Sequence, residues 1–260
     1  MGKEQTKAYQ RVLAAFMLLT RLPLWRVVCV PNMAFKRATD YWSLVGWITA
    51  GLMALVYWLC LLIDLPAVIA VSFALLSRIL LTGAFHEDGL GDFIDGFGAG
   101  RTKERILAIM KDSHVGTYGI LSFIFYFMIG IYSLSSLPPS LTLLALAVGD
   151  PLCKMVASQL INTLPYARSE GDSKVQAIYS PMGALTFMIS LAAGALPLVL
   201  FLPLSYWPAV SLPILAFLLL RSLMKWKIGG YTGDCCGATF LLCELSFWVG
   251  ILIVDRIIGS

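Results

Sequence analysis

Residues 41–63 read Tyr-Trp-Ser-Leu-Val-Gly-Trp-Ile-Thr-Ala-Gly-Leu-Met-Ala-Leu-Val-Tyr-Trp-Leu-Cys-Leu-Leu-Ile, without one charged side chain. The hydrocarbon core of a bilayer, about 30 Å thick, is crossed by about 20 mostly apolar helical residues. Six further stretches fit that length: 66–85, 116–137, 141–164, 181–204, 207–223 and 236–257. Composition agrees. Of the 260 residues, 59% are hydrophobic and 13% charged, and the mean hydropathy is +0.83. A soluble domain carries about 25% charged residues, so this chain cannot cover its surface in water. Disorder is excluded by the same balance. The six cysteines lie mostly in apolar runs and form no CxxC pair, which excludes a disulfide scaffold. Nothing in the composition suits a nucleic-acid binder. The expected fold is all-α, a polytopic membrane bundle of about seven transmembrane helices with interfacial helices at the cytoplasmic face, in one integral membrane domain over residues 1–260.

Orientation follows from the basic residues. All of them except Arg78, Lys154 and Arg256 fall before the first span or after the second, fourth and sixth. With seven spans these segments share one side, which should be cytoplasmic. Residues 1–40 then form a cytoplasmic N-terminal segment, whose apolar patch 12–24 is too short to span and reads as an interfacial or re-entrant helix. Residues 86–115 are the cytoplasmic connection expected to carry the chemistry, and 116–260 hold the remaining helices.

That connection opens with His86-Glu87-Asp88-Gly89-Leu90-Gly91-Asp92-Phe93-Ile94-Asp95-Gly96. Asp88, Asp92 and Asp95 stand at i, i+4 and i+7, one face of a helix. Three carboxylates there repel one another, and near a bilayer each is costly unless compensated. A divalent cation removes both problems, and hard oxygen ligands favour Mg²⁺, Mn²⁺ or Ca²⁺. Residues 101–111 give an apolar stripe (Ile106, Leu107, Ile109, Met110) with a basic opposite face, suited to the membrane surface. Lys111 and Asp112 close this segment before a Gly-Thr-Tyr-Gly turn.

Two later segments add polar groups: Pro165-Tyr166-Ala167-Arg168-Ser169-Glu170-Gly171, and Gly229-Gly230-Tyr231-Thr232-Gly233-Asp234. The second brings one carboxylate to a helix N-terminus, where it can cap the helix or join the site. Arg78, Asp150, Lys154 and Glu244 lie within spans and should face the bundle interior. Trp42 and Trp47 read as an interfacial belt. With only two histidines, a His-rich metal site is excluded. Carboxylate-bound Mg²⁺ ringed by Arg and Lys suits a phosphate or diphosphate substrate, so the residues alone point to a Mg²⁺-dependent membrane phosphotransferase. The GxxxxGK[ST] loop is absent. Two rivals remain: a CDP-alcohol phosphotransferase-like lipid enzyme, of whose pattern Asp92-Phe93-Ile94-Asp95-Gly96 is a fragment, and a cation-coupled transporter. A transport site belongs near the bilayer midplane, and these carboxylates lie at a span's end.

Five blocks in order resemble one family. Thr20-Arg21-Leu22-Pro23; the His86–Asp92 block with Asp95-Gly96; Ile109-Met110-Lys111-Asp112-Ser113 with Gly116-Thr117-Tyr118-Gly119; Pro165-Tyr166-Ala167-Arg168 with Glu170-Gly171; and Gly229-Gly230-Tyr231-Thr232-Gly233-Asp234 with Gly237-Ala238 and Glu244 are similar to cobalamin-5′-phosphate synthase, also called adenosylcobinamide-GDP ribazoletransferase. The resemblance implies a bacterial or archaeal inner-membrane enzyme of late cobalamin biosynthesis with Mg²⁺ as cofactor. It would join adenosylcobinamide-GDP to α-ribazole or α-ribazole 5′-phosphate and release GMP. Its partners would be these substrates and membrane lipid, with a homo-oligomer or a complex with other corrinoid-pathway enzymes as further possibilities. By this reading Asp88, Asp92, Asp95, Asp112 and Asp234 hold metal, and Asp88, Asp92, Asp112 and Asp234 carry catalysis. Arg21, His86, Lys111, Thr117, Tyr118, Arg168, Glu170, Thr232 and Glu244 bind substrate. Tyr118 and Tyr231, with Trp42 and Trp47, are candidates to stack on the corrinoid. The chain departs from the family pattern at Ala84 (usually Gly), Glu87 (usually Leu), Gly91 (usually Ala), Cys235-Cys236 (usually small or apolar) and Asp150 (usually near an Arg).

Overall fold

In a computed structural model, which describes residues 6–168 and 181–259, the chain is a helical bundle. The helices are α1 (Ala8–Leu19), α2 (Asn32–Phe35), α3 (Trp42–Leu62), α4 (Ala67–Thr82), α5 (Phe85–Ala99), α6 (Lys103–Ile109), α7 (Thr117–Ser135), α8 (Pro139–Thr163), α9 (Ala184–Phe201), α10 (Ser211–Ile228) and α11 (Gly233–Ile258). Short 3₁₀ turns at Ala38–Tyr41 and Leu204–Val210 extend α3 and α10 backwards. Six helices are long and apolar enough to cross a bilayer, and a seventh span forms if α4 and α5, bent by 93°, count as one broken span. This is the expected all-α membrane bundle.

Three helices differ in their bounds from the sequence reading, and the sixth span runs on to Ile228 instead of ending at 223. The N-terminal helix starts earlier and ends at Leu19, because Thr20 turns extended, and its hydroxyl and N–H both bond back to the Phe16 carbonyl. The second span stops at Thr82. Its 16 residues, about 24 Å at 1.5 Å each, reach only part of the way across the hydrocarbon core.

Lipid offers helices no hydrophobic drive to associate, so packing depends on close contact and on internal polar pairs. Helix α8 and helix α11 are the most enclosed, whereas α10 is mostly open to the surroundings. Helix α3 packs on α4, α8 and α9; α11 packs on α5, α7, α8 and α10. Leu215, Leu219, Ile124, Phe125 and Leu200 point outward, as lipid-facing side chains must.

The bundle core also holds charge. The Arg78 guanidinium is fully buried and meets Glu244, Glu87 (3.4 Å), Asp150 (3.9 Å) and the Tyr126 hydroxyl (2.9 Å). Lys154 lies 2.5 Å from Asp150, one turn away, and donates to the Thr49 hydroxyl at 2.7 Å. These intramembrane charges face inward and pair, as their cost requires.

Candidate active site

Because successive spans alternate in direction, the starts of α3, α7, α9 and α11 gather at one end with the ends of α8 and α10. Arg37 bonds the Pro181 carbonyl there, and Arg221 the Thr163 carbonyl. The motif blocks converge on this end.

The turn from α4 to α5 is made by two consecutive left-handed residues, Gly83 (φ 69°) and Ala84 (φ 59°). Glycine takes this conformation freely and alanine does not. Arg21 straps the bend: its N–H donates to the Leu81 carbonyl at 2.7 Å, and its side chain packs on Gly83. The Thr20-Arg21 block is thereby fixed beside the acidic helix.

On α5 the three aspartates grow more buried along the helix. Asp88 is exposed, Asp92 half-buried and Asp95 buried. Both oxygens of Asp95 accept backbone N–H groups, from Gly116 at 2.7 Å and Gly119 at 2.9 Å. These N–H groups belong to the start of α7, which would otherwise lack partners, and a carboxylate suits the positive end of the helix dipole. Asp95 therefore positions α7, whose first turn presents Thr117 and Tyr118 outward, with the Tyr118 ring against Gly98.

Helix α6 follows with Ile106 and Met110 buried, and Lys103 and Arg105 exposed. Its N-cap is Thr102, whose hydroxyl accepts from the Arg105 N–H at 3.3 Å. Lys111 and Asp112 are exposed beyond it. One oxygen of Asp112 accepts the His114 N–H at 3.0 Å and lies 2.6 Å from the His114 ring Nδ1. These hydrogen bonds from His114 hold the Asp112 carboxyl below the usual carboxylate range.

The two later segments pair directly. The Tyr231 N–H donates to the Pro165 carbonyl at 3.0 Å, and the Ala167 N–H to the Tyr231 carbonyl at 2.8 Å. Only glycine fits at position 230, where a Cβ would collide with the Pro165 carbonyl oxygen. This ladder brings Arg168 to Asp234, at 3.3 Å. Thr232, not Asp234, is the N-cap of α11, its hydroxyl accepting from the Cys235 N–H at 3.3 Å. Asp234, relieved of capping, is held by Arg168 at the mouth of the bundle. A Cβ at Gly89 would sit 3.0 Å from the Asp234 carbonyl oxygen, and one at Gly237 would sit 3.2 Å from the His86 carbonyl oxygen. These two glycines let the starts of α5 and α11 touch, which places Asp88 and Asp234 on neighbouring turns.

Three residues expected to bind substrate are enclosed. His86 is fully buried, stacked on Trp42 at 5.6 Å and edge-on to Phe240 at 4.9 Å. Thr232 is fully buried at its cap. Glu244 lies about ten residues, roughly 15 Å, along α11 from its start, held by Arg78 and Tyr126. Glu170 lies outside the described residues. Trp42 is no belt residue: it is 2% exposed, against His86. Trp47 donates its indole N–H to the Ala193 carbonyl at 2.8 Å. Tyr231 is buried with its ring edge-on to Tyr166. The belt role given to Trp42 fails because an aromatic at a span's start reads the same whether it faces lipid or, as here, packs inward on His86.

Among the described residues, no three His, Cys, Asp or Glu side chains form a group able to hold a metal ion by themselves. The five aspartates of the sequence reading are thus not a ready-made cluster: Asp95 is occupied at α7, and Asp112 stands apart on the α6–α7 connection. Mg²⁺ usually takes one or two carboxylates and completes its shell with water and substrate phosphate. Asp88 and Asp92, one turn apart on the open side of α5, suit that donor set.

Fold and site define a polytopic membrane protein with carboxylates and guanidinium groups gathered at one end of its bundle, a membrane enzyme by architecture. The family model described as cobalamin-5-phosphate synthase matches residues 11–252, and the chain belongs to that family of transferases. A curated relative from Shewanella sp. (strain W3-18-1) is 37% identical over 253 residues, 95% of each chain, and is named adenosylcobinamide-GDP ribazoletransferase. Relatives of the same name from Shewanella piezotolerans (38% over 249 residues, covering 93% of this chain and 94% of the relative) and Shewanella frigidimarina (36% over 243 residues, 92% and 93%) agree. No solved structure matches the chain. Membership of the cobalamin-5-phosphate synthase family, and not of a lipid phosphotransferase or transporter family, takes away the ground for those two readings.

Proposed function

We propose that the chain transfers the adenosylcobinamide phosphoryl group from adenosylcobinamide-GDP to the ribose 3′-hydroxyl of α-ribazole or α-ribazole 5′-phosphate, at the cytoplasmic face of the inner membrane, in a Mg²⁺-dependent reaction. The hydroxyl oxygen bonds to the cobinamide-linked phosphorus. The bond from that phosphorus to the bridging oxygen breaks, and GMP leaves with the electron pair. The observation that carries this reading is the convergence of Asp88, Asp92, Arg21 and the Arg168–Asp234 pair on one end of the bundle.

Asp88 and Asp92 would hold Mg²⁺ with the diphosphate oxygens. The bound ion supplies charge neutralisation on the transferring and leaving phosphoryl groups. Arg168, fixed by Asp234, and Arg21, fixed at the α4–α5 bend, bind and orient phosphate oxygens. Lys111 adds positive charge from the α6–α7 connection. Asp112, kept ionised by His114, accepts the hydroxyl proton. The test is GMP release and cobalamin formation by detergent-purified protein given adenosylcobinamide-GDP, α-ribazole and Mg²⁺. Turnover that survives chelation of Mg²⁺, or no product from either ribazole form by folded protein, overturns the reading.

A further inference from the structure

The motif blocks stand on separate elements. Asp88 and Asp92 lie on α5, Thr117 and Tyr118 on α7, Arg168 beyond the end of α8, Asp234 at the start of α11, and Arg21 against the end of α4. Phosphoryl transfer works by positioning, and a displacement of about 1 Å caused far from the reacting atoms can slow a reaction about a hundredfold. Lipid gives helices little drive to associate, so their mutual placement depends on specific internal contacts.

One side chain meets all of these helices. Arg78 is fully buried one turn before the end of α4. One terminal nitrogen of its guanidinium pairs with Glu244 on α11 and lies 3.9 Å from Asp150 on α8. The other lies 3.4 Å from Glu87 on α5 and donates to the Tyr126 hydroxyl on α7 at 2.9 Å. That hydroxyl donates onward to Glu244 at 3.2 Å, which ties α7 to α11 directly. Glu87 immediately precedes Asp88, so the contact that holds Glu87 inward also sets the backbone carrying the outward carboxylate. The other buried cation, Lys154, has its hydrogen-bond partners Asp150 and Thr49 on α8 and α3. A guanidinium is a rigid planar fork that fixes several partners at once, whereas an ammonium is a point charge on a flexible stem.

We propose that Arg78 is a positioning residue for the transfer: from inside the bundle it sets the α5 carboxylates against the Arg168–Asp234 pair. Arg78 is enclosed, so it acts through these helices and not on substrate. The proposal rests on the proposed function and deepens it, by naming what aligns that site.

The test uses the full-length chain in detergent. Arg78→Lys keeps the charge and loses the fork. It should lower kcat about a hundredfold, with the KM for each substrate and the Mg²⁺ requirement moved by no more than about twofold. Lys154→Met removes the other buried cation and serves as the comparison: it should lower the unfolding temperature and leave kcat within about threefold. An unchanged kcat in Arg78→Lys, or an equal fall in both variants, overturns the proposal. The alignment is also read without turnover. Nitroxides at Ala99→Cys, at the end of α5, and Thr163→Cys, at the end of α8, with Cys29→Ser removing the exposed native thiol, report the separation of those helices. The single narrow distance expected with Arg78 in place should be lost in Arg78→Lys, and a distance unchanged by that substitution overturns the proposal. Should Arg78→Lys fail to fold, Tyr126→Phe decides: it cuts only the α7 link and should lower kcat about tenfold at unchanged KM and broaden the distance. No change in either would overturn the proposal as well. A chain that forms no cobalamin but loses the narrow distance in Arg78→Lys would sink the proposed reaction and leave the positioning role standing.

Discussion

The Glu87 carboxylate lies 3.4 Å from the Arg78 guanidinium. The same guanidinium meets Asp150 at 3.9 Å. Glu87 and Asp150 are the two acidic departures from the family pattern, and both turn into the bundle. They are therefore neutralised by Arg78 and Lys154 and add nothing to the charge that faces substrate.

Unequal costs follow from that arrangement. Replacing Glu87 by Leu, the usual family residue, leaves Arg78 with Glu244 and Asp150, and should cost no more than about 1 kcal/mol. Arg78→Met strands buried carboxylates and should cost about 3–5 kcal/mol. Thermal unfolding in detergent compares them; equal losses would refute the shared-guanidinium account.

Asp88→Asn should lower kcat by at least about a hundredfold while leaving the unfolding temperature unchanged, because Asp88 is exposed and its loss is electrostatic. Asp95→Asn should instead lower stability, since one oxygen becomes an amide facing the Gly116 or Gly119 N–H. Activity titrated with Mg²⁺, alongside unfolding curves, separates the two roles.

Arg168 and Asp234 act as a unit. Arg168→Ala and Asp234→Asn should each raise the donor KM roughly tenfold or more, and the double variant should be little worse than either. A double-mutant cycle on kcat/KM measures this, and full additivity would disprove the coupling.

Ala84 holds φ 59° where the family usually has glycine. Ala84→Gly should stabilise the protein by about 1 kcal/mol, the cost of a left-handed alanine. A lower unfolding temperature would show that the bend is held by other means.

His114→Ala removes the ring hydrogen bond, the main cause that holds Asp112 below the usual carboxylate range, and keeps the bond from the backbone N–H. The Asp112 pKa then rises, so the carboxylate protonates at higher pH. The acid limb of the kcat/KM profile should move up in pH, and an unmoved limb would remove Asp112 from the reaction.

The spans and the motif blocks were legible because apolar length and carboxylate spacing are local signals. The joining of Pro165–Arg168 to Gly229–Asp234 was not, since a backbone ladder between distant segments leaves no periodicity. Thr232 could have been recognised as the cap from its place before Gly233-Asp234, an ordinary N-cap position. The separation of Asp95 from Asp88 was illegible for another reason: both lie on one helix face, and only the packing of α7 against α5 decides which is buried.

The Arg78–Glu244 contact joins residues 166 positions apart. At about 5–20 residues per second of synthesis, Arg78 enters the membrane roughly 10–30 s before Glu244 exists. During that interval its nearest counter-charge in sequence is Glu87, nine residues on. The nascent chain thus carries an early partner that the finished core keeps, and α11 later adds the second.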